Sequence, residues 1–434
     1  MNRGLTPAIL FLLFIVGAWV LFQKDAHTAT YHHTVAPLIQ KNCLPCHAAD
    51  GPAQMPLTNY SEVTSRASAI KEVLANGYMP PFKTDPDYRH FKGEKKMPAN
   101  EIAALTGWIE NGMPQGYPFF APKYSRAKID TQSSSADYTL TLPNPLCFSG
   151  KMKDVYVYYP FYLHNTEELD VRLFELTIDN RKIVHHAWLF VSTKTEIEKV
   201  SPLWKGDVQP VIKDALWDTM DNLGMMNYLL YTPGTYRRTY VKGACKKLPQ
   251  DAAVVLQVHY FIKNNDNICD QSSLRVIVEK EGANRTIFNM LLDETFITNP
   301  PFVMQPEKVH TFQMASKPMP DSTTLLKISP HMHYRGKKFK VYAVTPTNDT
   351  IKLLKIDNWD FNWQGAYSFD PLVVLPKGTV ICAEAVLDNT SGNIANPVIP
   401  PVVVKQGMHS TDEMFQMVIE CMPYVKGDEW LRPE

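Results

Sequence analysis

Cys43, Cys46 and His47, in the run CLPCH, are the residues whose types and spacing carry the clearest chemistry. Two thiols three positions apart with an imidazole beside the second suit covalent attachment of a c-type haem. The thiols take the vinyl groups and the imidazole takes the iron, which declares one-electron chemistry. A zinc site would need a second ligand pair at short spacing, and none follows. Further side chains with ligand chemistry lie downstream: His185 and His186 adjacent in KIVHHAWLFV, His259 in LQVHYFI, and His331 with His333 in an HMH pair. Imidazole is the commonest metal ligand, although a single strand histidine is more often core or surface.

The elements that must position these residues change in texture along the chain. Residues 31–116 read as helical: YHHTVAPLIQKN leads into CLPCH and SEVTSRASAIKEVLANG follows. ANEIAALTGWIENG then closes with Ile102, Leu105, Trp108 and Ile109 on one stripe and a glycine stop. Residues 117–137, rich in Pro, Ser and Tyr without a period, read as a linker. From residue 138, short β-branched and aromatic runs alternate with turn formers such as NNDN, KG and NTSGN, the pattern of antiparallel sandwiches. About 300 residues exceed one core, so two sandwiches are expected, over 138–298 and 299–434, dividing near ITNPPFVMQPEK.

In a strand, residues i and i+2 share a face, so His331 and His333 can grip one metal with little distortion. His185 and His186 would point to opposite faces. Both reach one ion only where the strand ends, bulges or twists.

These motifs carry two resemblances. Residues 31–116 resemble small class I c-type cytochromes through CLPCH, the MPPF of 79–82 and the closing WIENGMPQG. That resemblance implies a methionine as sixth iron ligand. Met79, on a proline-stiffened loop, is preferred, with Met55 and Met97 as rivals. Residues 140–434 resemble the copper type II, ascorbate-dependent monooxygenases, which include the peptidylglycine α-hydroxylating and dopamine β-type enzymes. The resemblance rests on the order HH, LQVHY around His259, HMH at His331 and His333, and TDEM ending at Met414. It implies two sandwich domains, each with one copper, facing a solvent-filled cleft. His185, His186 and His259 would hold an electron-transfer copper; His331, His333 and Met414 would hold the catalytic copper that meets oxygen and substrate. Three imidazoles suit copper in both oxidation states, and two imidazoles with a thioether make a softer site that favours Cu(I). The resemblance departs at the substrate. In the peptide-amidating members an arginine two residues before the HxH pair and a tyrosine four residues after the methionine clamp a carboxylate. Ser329 and Val418 stand there in this chain, so peptidylglycine is not expected.

Residues 5–22, LTPAILFLLFIVGAWVLF, follow Arg3, and about 18 apolar residues are just enough to cross a bilayer. The poor small-x-small site after them favours an uncleaved anchor over a cleaved signal. Either places the bulk of the chain outside the cytoplasm, on the periplasmic side or cell surface, where disulfides persist. The fold class expected is therefore multidomain: an N-terminal membrane helix within 1–30, a small all-α cytochrome c domain, and two antiparallel, jelly-roll-like β-sandwiches. Lysine and arginine number 44 against 44 acidic residues, with no basic stripe, which argues against nucleic acid as a partner. Setting the haem thiols aside leaves Cys147, Cys245, Cys269, Cys382 and Cys421, an odd set that closes at most two bridges, whose pairing spacing alone does not give.

The function expected is a copper monooxygenase that hydroxylates an activated C–H bond of a small molecule or exposed peptide with O2. Its electrons would pass through the covalent haem to the His185, His186 and His259 copper, replacing or supplementing ascorbate or another external donor. The alternatives are a periplasmic electron-transfer or copper-handling protein without oxygenase activity, and a binding module whose sandwiches are structural.

Overall fold

The computed structural model describes residues 29–49, 51, 53, 55–118, 136–142, 144–149, 153–200, 211–212, 226–231, 238–262, 267–280, 285–407 and 409–432. They fall into two compact units, 29–81 with 95–118 and 82–94 with 136–432.

In the larger unit the run AAVVLQVHYFI is apolar on both faces, the mark of a strand covered on both sides. It forms the strand Ala252–Ile262, flanked antiparallel by Lys153–Tyr162 and Val184–Thr193. Val254, Leu256, Val258 and Tyr260 face a core shared with Leu169–Thr177 and Ser273–Val278 of the opposing sheet. Ala253 and Val255 face the other way, under the short helix Lys194–Val200. A disulfide, Cys147–Cys269, joins the paired strands Leu146–Phe148 and Ile268–Asp270. Such bonds persist in oxidising compartments, in keeping with export.

The second sandwich has a sheet in the order Phe288–Leu292, Phe415–Pro423, Thr323–Met332, Tyr367–Leu375. Its partner sheet runs Lys308–Ala315, Val380–Asn389, Gly336–Val344, Thr350–Ile356. Ile328, Met332, Phe415 and Met417 from the first meet Phe339, Val341 and Ala385 from the second in one core.

The two sandwiches are joined by an apolar cluster that includes Tyr240, Ile287, Leu326 and Met422. Beside it Glu420 pairs with Lys246 at 3.4 Å and with Lys327 at 3.2 Å, while Lys246 also donates to Asn289 at 2.9 Å. Tyr240 lies over both ammonium groups, 4.8 Å from Lys327 and 5.7 Å from Lys246.

The smaller unit contains short helices: Tyr31–Val35, Ala36–Asn42, Leu44–His47, Tyr60–Thr64, Ala67–Ala75 and Ala99–Glu110. Val35, Ile39, Val63, Leu105 and Trp108 form its core.

This corrects the expected fold class. Among the described residues strand outweighs helix, 41% against 18%, so the helical segments are the minor part of a β-dominated structure. Residues 31–116 do not make a self-contained all-α cytochrome domain, because 82–94 leave the helical unit and join the β unit. The physical reason lies in Pro80, Pro81 and Pro86, which remove amide donors, and in Phe82 and Phe91, which bury against the second sandwich. Among the described residues no helix is long and apolar enough to cross a membrane, and residues 5–22 lie outside the described residues.

Burial of Lys246 depresses its ammonium to about 8 from 10.5, with Glu420 opposing the shift. Below the lower value both folded and unfolded chains hold the proton; between the two values the unfolded chain holds more. Stability should therefore rise with pH across that window. Urea unfolding of the native chain and of Lys246→Met at pH 8 and 9.5 should reveal a pH-dependent gain in the native chain that the variant lacks.

Candidate metal centres

A β-bulge decides the geometry of the first histidine group. On the Ala252–Ile262 strand, His259 pairs with His186 and Tyr260 pairs with Val184, so His185 is the extra residue between two ladder positions. That is the irregularity an HH pair needs to serve one site. The His185 side chain lies outside the described residues. His186 and His259 are brought together, ring centroids 4.8 Å apart and Nδ1 atoms 3.4 Å apart. Tyr156, the cross-strand partner of His259, stacks on it at 4.3 Å with the planes 11° apart. Strand alternation puts His259 on the same side as Gln257 and Val255, away from the core that holds Val258 and Tyr260.

The second group lies at the end of two paired strands. His331 stands opposite Gln416 and Met332 opposite Phe415, the last pair of the ladder; His333 and Met414 are the residues immediately beyond it on the two chains. Met332 and Phe415 are buried in the core. His331, His333, Gln416 and Met414 therefore occupy the opposite face by alternation. The two imidazoles are edge to face, centroids 5.1 Å apart.

Each ring is oriented through Nδ1. His331 Nδ1 donates to Gln364 Oε1 at 2.6 Å, and His333 Nδ1 donates to the Asp412 carbonyl at 3.3 Å. With Nδ1 so engaged, Nε2 of each ring keeps its lone pair for a metal. Burial lowers the basicity of both rings: His331 falls below its ordinary value, and His333 falls to about 3, with His331 adding to the effect. Both are neutral at physiological pH, the form that ligates.

Glu413 ties this group together. Its carboxylate accepts from the amides of His333, Met414 at 3.1 Å and Arg335 at 3.1 Å. The side chain is fully buried; burial raises its pKa to about 7, against the pull of those amides and Arg335. Arg335, also fully buried, donates through Nε to Asn389 at 2.9 Å and through NH1 to the Thr411 carbonyl at 2.8 Å. Sequence reasoning missed Glu413, Gln364 and Arg335. The available signal was an acid directly before Met414 at the mouth of an apolar strand.

At the haem motif, Cys46 and His47 lie on the helix Leu44–His47 and Cys43 precedes it. His47 accepts the Leu57 amide on its carbonyl at 2.8 Å, and its Nδ1 donates to the Met55 carbonyl at 2.7 Å, which leaves Nε2 for iron. Gly51 is required where the following loop turns back, since a Cβ there would lie 2.1 Å from the Cys46 carbonyl oxygen. Of the methionine candidates, Met97 is packed in the helical core, Met55 is exposed, and Met79 is half-buried with its amide on the Val73 carbonyl at 3.1 Å. Among the described residues, no three His, Cys, Asp or Glu side chains gather around one point.

No protein-family model and no curated protein matches this chain. Among solved structures, the major capsid protein P2 of bacteriophage PM2 aligns over 67% of this chain and 98% of its own, at 10% identity and a TM-score of 0.26. The VP2 subviral particle of infectious bursal disease virus aligns over 68% and 77%, at 10% identity and a TM-score of 0.18. Scores this low carry no argument about fold or function.

Replacing Glu413 by Ala strands three backbone donors, and at about 1–3 kcal/mol for each buried unsatisfied group the loss should be about 3 kcal/mol or more. Glu413→Gln, which keeps an acceptor oxygen, should lose less. Urea unfolding of both variants measures this.

Proposed function

We propose that this chain is a copper-dependent monooxygenase that hydroxylates an activated C–H bond with O2, supplied with electrons through a haem bound at Cys43, Cys46 and His47. The observation that carries the reading is the His331, His333 and Met414 arrangement. Two neutral imidazoles lie edge to face with their Nδ1 atoms engaged, and the Met414 amide meets the His333 amide on one oxygen of Glu413, just past the paired strand ends. This donor set fits copper, and its softness suits the reduced ion. Copper bound there would supply the oxygen-activating redox chemistry, and haem the one-electron relay.

The chain's own residues do the rest. Gln364 and the Asp412 carbonyl hold the imidazole tautomers, and Glu413 holds the backbones of His333 and Met414 in register. His186 and His259, with His185 at the bulge, would hold a second copper, and Tyr156 stacked on His259 keeps that ring from turning. Met79 would offer its thioether to the haem iron.

The substrate should be neutral near its reacting carbon. Ser329 and Val418 are direct cross-strand partners, one alternate position from His331 and Gln416 on the same face. A hydroxyl beside an isopropyl group offers a carboxylate no charge-assisted donor. Glu420, two residues on, already pairs with Lys246 and Lys327 at that end of the face.

The copper-to-haem-iron ratio of the full chain, loaded with copper and dialysed, tests the reading. Two coppers per haem are expected, falling to one in His331→Ala/His333→Ala. A haem protein that retains no copper contradicts it. Two coppers without substrate-dependent O2 uptake would instead favour an electron-transfer or copper-handling protein.

A further inference from the structure

Residues 82–94 interrupt the helical segment and lie along the second sandwich as a strap. Phe91 forms a bridge with Phe369, and the Lys92 amide donates to the Ser368 carbonyl at 2.9 Å. The Asp85 amide donates to the Lys355 carbonyl at 2.8 Å, and the Asp85 carboxylate pairs with the Lys355 ammonium at 2.9 Å. Tyr88 donates to the Val341 carbonyl at 3.3 Å.

Two strap contacts bear on one turn, 360–367. At its start, Lys83 pairs with Asp360 at 3.7 Å, both side chains largely buried. At its end, the Phe82 and Phe91 rings each sit 5.4 Å from the Tyr367 ring. Tyr367 in turn lies against Gly365, where an added Cβ would come 3.3 Å from the ring. Gln364 stands between these fixed ends. Its Nε2 donates to the Phe361 carbonyl at 3.0 Å, which turns Oε1 toward His331 Nδ1 at 2.6 Å. Phe361, on the same turn, meets the His333 ring edge to face at 5.9 Å.

We propose that the strap positions His331: Lys83, Phe82 and Phe91 clamp the turn 360–367 so that Gln364 holds His331 as the Nδ1–H tautomer with Nε2 presented for a metal. Lys83 and Phe91 are positioning residues that act through Gln364. The role assigned to His331 rests on the copper reading above. The tautomer does not, because it is a property of the metal-free chain.

The experiment uses the full chain labelled with 15N-histidine, metal-free, with His331 assigned by its loss in His331→Gln. Long-range 1H–15N spectra should give a single Nδ1–H tautomer for His331 in the native chain. Lys83→Met and Phe91→Ala should each convert it to a mixture, leave the His186 and His259 signals in place, and weaken copper retention at His331/His333 by ~10-fold or more. Lys83→Arg and Phe91→Tyr should restore the native pattern. If Phe91→Ala does not fold, Phe91→Leu and Lys83→Met carry the test. An unchanged His331 tautomer in folded strap variants overturns the proposal, as does a change that spreads equally to His186 and His259. A native chain that binds no copper while the strap variants still shift His331 would overturn the oxygenase reading and leave the strap's positioning role standing.

Discussion

The second histidine group depends on one buried carboxylate. Glu413 sits where two antiparallel strands run out of ladder partners, and its two oxygens take up the amides that those ends would leave bare. A carboxylate with no exposure is costly unless its lone pairs are filled. Here three amides fill them, with Arg335 beside the pair. The exchange fixes more than charge. The backbones of His333 and Met414 converge on the same oxygen, so the imidazole strand and the thioether strand cannot slide past each other without breaking it. A metal site built on facing strands needs that register, because a one-residue slip would turn Met414 into the core and Phe415 out of it.

Alternation then distributes everything else. On one face of the same sheet, Met332, Phe415, Met417 and Ile328 build the core. On the other, pairs follow in order: Lys327 with Glu420, Ser329 with Val418, and His331 with Gln416. One end of that face is closed by the first sandwich through Lys246 and Tyr240, with Lys246 donating to Asn289 of the second. The other end carries the histidines. Packing between sandwiches and placement of the histidine pair are thus two uses of one surface, separated by the neutral Ser329 and Val418 step.

The pairing of His331 with His333 was legible because strand periodicity is local, and so was the need for a bulge at His185 and His186. The Cys147–Cys269 bridge was not legible, because pairing depends on which strands meet. Glu413 and Gln364 escaped notice for a related reason. Their roles come from contacts between segments about 80 and 33 positions apart in sequence. The helical reading of 31–116 failed at 82–94, where FKTDPDYRHF lacks a helical period but sits between strongly helical neighbours. Its aromatic residues find their apolar surface on Tyr367 and Phe369, which lie far along the chain, and tertiary burial overrode the local neighbourhood.

His331, His333 and Met414 are proposed to hold one copper. X-ray absorption at the copper edge of the reduced, copper-loaded full chain tests it most directly. A copper–sulfur contribution is expected in the native chain, disappearing in Met414→Ile while the imidazole contribution from His331 and His333 remains. Copper bound with no sulfur scattering in the native chain, or sulfur scattering that survives Met414→Ile, would contradict it.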